Sequence, residues 1–182
     1  MTASRIVVMG PSGSGKSAVG AALAAHLGMR FVDADDLHPA QNVAKMAAGT
    51  PLEDDDRMPW LDLVAQTLAA SQQPVGGDAA SVPPPHGGVV IACSALARRY
   101  RERILAGAAG TVFIELRVPE RELARRMGAR DHFMPPALLA SQLRALEHLE
   151  PDEPGVVVAG DPALGEVVET AVAALERYQS LR

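Results

Sequence analysis

The chain has a single cysteine, Cys93, in 182 residues. No intramolecular disulfide can form, which fits a reducing cytoplasm. Aromatic residues make up 3% of the sequence, so the expected core is aliphatic, built from Val, Leu, Ile, Ala and Met. Positive charge is not in excess either: 17 Lys and Arg stand against 22 Asp and Glu, a net charge of −5. No basic cluster is dense enough for a nucleic-acid groove, which excludes that class of partner. No apolar run approaches the ~20 residues that cross a bilayer, and the N-terminal one is shorter than the core of a signal peptide. The expectation is a soluble cytoplasmic protein with no membrane partner. With 48% hydrophobic residues, the length suits one α/β domain covering 1–182.

What is present begins with Gly10-Pro11-Ser12-Gly13-Ser14-Gly15-Lys16-Ser17, the spacing G-x-x-x-x-G-K-S of a phosphate-cradling P-loop. Glycines let the backbone curl with its N–H groups inward, where side chains would block a polyphosphate. Lys16 supplies a charge for the β- and γ-phosphates, and the Ser17 hydroxyl suits Mg²⁺. Context supports the match. A buried-strand run, Arg5 to Met9, precedes the loop, and a helix follows with Val19, Leu23 and Leu27 at four-residue spacing. Gly28 is placed as its stop. Gly10, Ser12, Gly13, Ser14, Gly15, Lys16, Ser17 and Ala18 are therefore the expected contacts to a nucleoside triphosphate.

Strand and helix alternate along the whole chain, which predicts a parallel sheet covered by helices on both faces. Strands are expected near 5–9, 30–33, 89–93, 111–116 and 155–159. Helices are expected near 16–27, 39–48, 57–72, 96–106, 120–128, 136–149 and 163–179. Residues 73–88, rich in Pro, Gly, Ser and Ala, read as a mobile surface excursion. The arginines at 98, 99, 101 and 103 read as a solvated helix face. Cys93 reads as a buried filler and not a nucleophile.

In open parallel sheets ligands sit at the carboxyl ends of the strands. The second strand ends in Asp33-Ala34-Asp35-Asp36. Of the first two acids, one can hold Mg²⁺ directly or through water, and the other can orient an attacking hydroxyl. Asp36 reads as a helix-start residue. The third strand ends in Cys93-Ser94 without an acid, which moves the metal role to Ser17 and Asp33. Ser94 is either a substrate contact or a helix cap. Arg57, beside Asp54 to Asp56, offers a fork for a carboxylate or a hydroxyl pair. Asp54 to Asp56 themselves read mainly as a charged helix start, and Trp60 as packing or pocket wall. Arg126 and Arg130, four apart before a proline-marked break, suit a lid that meets charge on a transferring phosphoryl group and excludes water.

These residues closely resemble the bacterial-type gluconokinase family. The resemblance is carried by the P-loop, by D-x-D-x-L-H-P (Asp33 to Pro39) and by N-x-x-K-M-x-x-G-x-P-L (Asn42 to Leu52). D-D-D-R-x-P-W-L (Asp54 to Leu61) and C-S-A-L (Cys93 to Leu96) extend it, and it continues through Tyr100-Arg101 to Leu146-Glu147. It implies a three-layer P-loop kinase fold with a five-stranded parallel sheet, a substrate-binding segment about 36–60 and a lid about 125–137. It implies ATP- and Mg²⁺-dependent phosphorylation of D-gluconate at its terminal hydroxyl, commonly by a homodimer. Carried over, Asp35 orients the hydroxyl and Asp33 holds Mg²⁺ through water, while His38, Arg57 and Ser94 line the sugar-acid pocket. Asp131 stands where the family has a glycine, and Ala97 where it has a lysine, with Arg98 next to it as the substitute contact. A shikimate-kinase-like or other sugar-acid kinase is the near alternative. A nucleotide-binding switch is the distant one, and it would leave the paired acids without a use.

Overall fold

A computed structural model describes residues 3–70, 87–128 and 136–181. Five strands alternate with helices: β1 (Arg5–Met9), β2 (Arg30–Asp33), β3 (Val89–Ala92), β4 (Val112–Arg117) and β5 (Gly155–Ala159). The helices are α1 (Lys16–Leu27), α2 (Ala40–Ala47), α3 (Asp54–Ala70), α4 (Arg98–Gly107), α5 (Glu120–Gly128), α6 (Pro136–Ala145) and α7 (Leu164–Ser180). All strand pairs are parallel, in the order β2-β3-β1-β4-β5. The order reverses beside β1, and that reversal leaves a crevice above the strand ends.

Alternation along each strand makes a core on both faces. Val7, Met9, Ile91 and Phe113 face α3 and α4, packing with Leu61, Val64, Leu68 and Ile104. Ile6, Val8, Val90 and Ile114 face α1 and α7, packing with Val19, Leu23, Val168 and Leu175. The core is aliphatic as composition requires; Trp60, Tyr100 and Phe113 are its buried aromatics among the described residues. Gly28 ends α1 at φ 63°, donating its N–H to the carbonyls of Ala24 and Ala25, the left-handed cap its sequence position implies.

Three helix boundaries depart from the sequence reading. α3 starts at Asp54, not 57, because the Asp56 carboxylate accepts the Glu53 N–H at 2.9 Å while the Glu53 carbonyl opens the helix. Pro59 then lies a full turn inside. The fourth helix starts at Arg98, because Ala95 takes φ 40° and turns the chain sharply after β3. α6 stops at Ala145, and the next residues pass into a network around Arg101.

That network overturns the solvated-face reading for Arg101, whose side chain is fully buried. Its guanidinium meets Glu153 at 2.5 and 2.7 Å and donates to the carbonyls of Ala95, Leu96, Glu147 and His148. One side chain thus fixes both the strained turn after β3 and the return from α6. Removing the cation leaves the buried Glu153 carboxylate without a charge partner, held among the described residues only by the Glu150 N–H. Arg101→Ala is expected to lose about 3–5 kcal/mol of stability in urea unfolding; a loss under about 1 kcal/mol would show that Glu153 finds water or another partner. The expected excursion at 73–88 and the tip of the expected lid fall largely or wholly outside the described residues.

Candidate active site

The P-loop joins β1 to α1. Gly10, Gly13 and Gly15 all take positive φ, and Gly15 caps α1 at φ 88° with no side chain in the way. A Cβ on Gly10 would come within 2.8 Å of Ser14 Oγ, so the curl demands glycine. Ser14 Oγ is buried and has no hydrogen-bond partner among the described residues. An orphaned hydroxyl inside a glycine-built curl fits a loop shaped to receive a polyanion.

Two cavities flank α6. The larger, about 810 Å³, has an apolar wall of Leu116, Leu123, Leu143 and Leu146. Its lining carboxylates are Asp161 and Glu115, and Glu115 is already answered by His148, by Arg117 and by the Leu149 N–H. The smaller, about 690 Å³, is the cleft above the strand ends, and it gathers Lys16, Asp35, His38, Arg57, Trp60 and Ser94. Register explains the convergence. Asp33 and Val8 both pair with Ala92, so the P-loop, the Asp33–Asp35 turn and Cys93-Ser94 leave the sheet at one level.

Asp33 and Asp35 share a short 3-10 turn. Asp33 Oδ1 accepts the Asp35 N–H at 3.0 Å, so Asp33 caps the turn that aims Asp35 into the cleft. Asp36 lies in the first turn of that 3-10 segment, the helix-start place expected of it, and the cap itself is Asp33. Burial pushes the Cys93 thiol up to about 12, and the charges of Asp35, Lys16 and Asp33 all reach it. The thiol is therefore no nucleophile, and the three charged groups surround the end of β3. Lys16 has no ion-pair partner among the described residues, so its ammonium stays available for a ligand. Among those residues no cluster of three His, Cys, Asp or Glu forms a metal cage. Ser17 on the first turn of α1 and Asp33 at the end of β2 are an oxygen set of the kind Mg²⁺ uses, when phosphate and water supply the remaining ligands.

The acceptor side comes from the segment after β2. Trp60 is buried, donates its indole N–H to the Ala34 carbonyl at 2.7 Å and stacks on His38 with ring centres 4.1 Å apart. It is packing and pocket wall at once. Burial lowers the His38 pKa; Asp35 pulls it up and Arg57 adds to the lowering, so the ring is neutral at pH 7. Arg57 donates to the Tyr100 hydroxyl at 3.0 Å, and that hydroxyl donates to Asp54 at 2.6 Å. Hydrogen bonds from Tyr100 and then Arg99 hold Asp54 below the usual carboxylate range. Tyr100 lines the cleft, and sequence spacing gave no sign that it would.

Two expected contacts sit elsewhere. Arg98 is spent on Asp152 and Glu102 at the surface and does not line the cleft; an acid pair outcompetes the cleft for its guanidinium. Arg126 reaches Glu122 and the carbonyls of Gly13, Gly160 and Asp161, bracing the P-loop against the turn after β5. Arg130 lies outside the described residues. Gln142 of α6, part of the family resemblance but given no role by the sequence, accepts the Ser12 N–H at 2.7 Å, so α6 leans directly onto the loop.

Comparison with known proteins agrees with this geometry. A family described as an AAA domain matches residues 6–149. The gluconokinase of Gluconobacter oxydans is 41% identical over 92% of this chain and 88% of its own. The thermosensitive gluconokinase of Escherichia coli is 39% identical, covering 86% and 79%. The crystal structure of a gluconokinase from Sinorhizobium meliloti superposes with a TM-score of 0.83 at 42% identity, over 99% of this chain and 96% of that one. With its phosphate loop, acid pair and acceptor cleft assembled on one sheet edge, the chain belongs to the gluconokinase family of P-loop kinases.

Proposed function

We propose that the chain transfers the γ-phosphoryl group of ATP to the terminal hydroxyl of D-gluconate, giving 6-phospho-D-gluconate. The observation that carries this reading is that one cleft is lined by both Lys16 and Asp35, together with His38, Arg57 and Ser94. The P-loop amides and Lys16 hold the β- and γ-phosphates at one end. Asp35 accepts the hydroxyl proton as the new O–P bond forms and the bond to the bridging oxygen breaks. Arg57, steadied by Tyr100, grips the gluconate carboxylate, and Ser94 and His38 meet its hydroxyls. Magnesium, when bound by Ser17 and by Asp33 through water, offsets phosphate charge. Arg130 closes over the nucleotide to exclude water, while Arg126, held by Glu122, braces the P-loop at the Gly13 carbonyl. The family resemblance extends this reading to a cytoplasmic enzyme acting as a homodimer.

A panel of sugars and sugar acids with Mg-ATP tests the acceptor. ADP release with gluconate and none with shikimate is the expected pattern; the reverse would assign the cleft to another acid. Within that assay, Arg57→Ala is expected to raise the gluconate KM roughly 10- to 100-fold, the worth of a charge-assisted bond to a carboxylate, with kcat changed only a few-fold. An unchanged KM would remove Arg57 from the pocket.

A further inference from the structure

Asn42 is completely buried, yet its Oδ1 has no partner among the described residues. Leaving a buried carbonyl oxygen unpaired costs stability, roughly 1–3 kcal/mol. The side chain's other end is fully employed: Nδ2 lies 2.9 Å from the Asp56 carbonyl oxygen and 3.5 Å from His38 Nδ1. The two contacts fix the orientation of the amide. Rotating it by half a turn would set Oδ1 against the Asp56 carbonyl oxygen, two acceptors face to face. Asp56 is itself anchored by Lys45 at 2.7 Å and by the Glu53 N–H, so its carbonyl does not retreat.

With Nδ2 as donor, His38 Nδ1 must be an acceptor and carry no proton. A neutral ring then has its proton on Nε2. A half-turn of the ring would keep its stack on Trp60, which lies nearly parallel at 14°, but would set Cδ2 in place of Nδ1 against Asn42 Nδ2 and lose that contact. We propose that Asn42 is a positioning residue that holds His38 as the Nε2-protonated tautomer. His38 then meets the acceptor substrate as a hydrogen-bond donor to a sugar-acid oxygen and never as a proton acceptor. Proton removal is left to Asp35, which lines the same cleft. This deepens the proposed function and rests on it for the identity of the substrate, whereas the tautomer itself is a property of the free protein.

The tautomer is read by long-range ¹H–¹⁵N correlation on the unliganded full chain at a pH where the ring is neutral, with the signal assigned by its disappearance in His38→Gln. The expected spectrum shows the proton on Nε2; a proton on Nδ1, or a mixture of tautomers, would overturn the proposal. Asn42→Ala is expected to convert the signal to a mixture and to raise the gluconate KM roughly fivefold, about one neutral hydrogen bond, with the ATP KM unchanged. If that variant fails to fold, the isosteric Asn42→Asp replaces it. There the oxygen that replaces Nδ2 cannot donate to Nδ1 and is repelled by the Asp56 carbonyl, so the preference for the Nε2 proton is expected to be lost. An unaltered tautomer in either variant would sink the idea. A donor role also predicts that His38→Gln keeps more gluconate affinity than His38→Leu, and equal losses would contradict it. If gluconate proves not to be a substrate while the ring carries its proton on Nε2, the functional reading fails and the positioning role survives.

Discussion

Lys16→Ala is expected to lower kcat by about 10²–10³-fold. Lys16 opens α1 immediately after the left-handed Gly15, so it is carried at the positive end of the helix and beside the glycine loop. No acid among the described residues neutralises it, and it shares the cleft with Asp35. Its charge matters most when negative charge moves toward the leaving oxygen, so the loss should fall on kcat more than on nucleotide affinity. The loop itself is built from backbone, and the variant should still bind nucleotide. Single-turnover kinetics beside equilibrium ADP binding would separate the two effects. Turnover within a few-fold of the parent would mean that the loop grips something other than the transferring phosphate.

Asp35→Asn is expected to lower kcat by about 10²–10⁴-fold, the range for a positioned general base. The amide keeps the shape and cannot take the acceptor's proton. The Asp33 cap that aims residue 35 uses the backbone N–H and not the side chain, so the turn should persist. Gluconate and ATP affinities should therefore move little. The opposite pattern, intact kcat with weakened ATP, would place Asp35 on the nucleotide side. The His38 tautomer bears on the same point: a ring locked as a donor cannot rescue the variant by taking the proton itself.

Much of this was legible in the sequence for identifiable reasons. Four of the five strands are runs rich in Val and Ile with no competing helical period, β2 being the exception, and the observed spans differ from expectation by a residue at most. The P-loop and the Asp33–Asp35 pair were legible because both follow a strand directly, so sequence adjacency equals spatial adjacency. Contacts that join distant segments were not. Tyr100 and Arg57 meet across 43 positions, and Arg101 meets Glu153 across 52. Arg101 shows the limit most clearly. Its spacing among Arg98, Arg99 and Arg103 suited a wet helix face, yet the turn at Ala95 brings it under the sheet edge, where carbonyls and Glu153 replace water. Arg98 and Arg126 went to carboxylates and carbonyls for a related reason: a guanidinium goes to the nearest acceptor the fold supplies, and sequence does not locate it.

The most direct test of the whole account is product formation by the purified full chain with magnesium, ATP and D-gluconate, followed by chromatographic separation of the sugar phosphates. The account predicts stoichiometric ADP and a gluconate phosphorylated at its terminal carbon, both abolished when gluconate is omitted. Tight nucleotide binding with no phosphorylated gluconate would contradict it, leaving a phosphate loop without the acceptor chemistry assigned to the cleft.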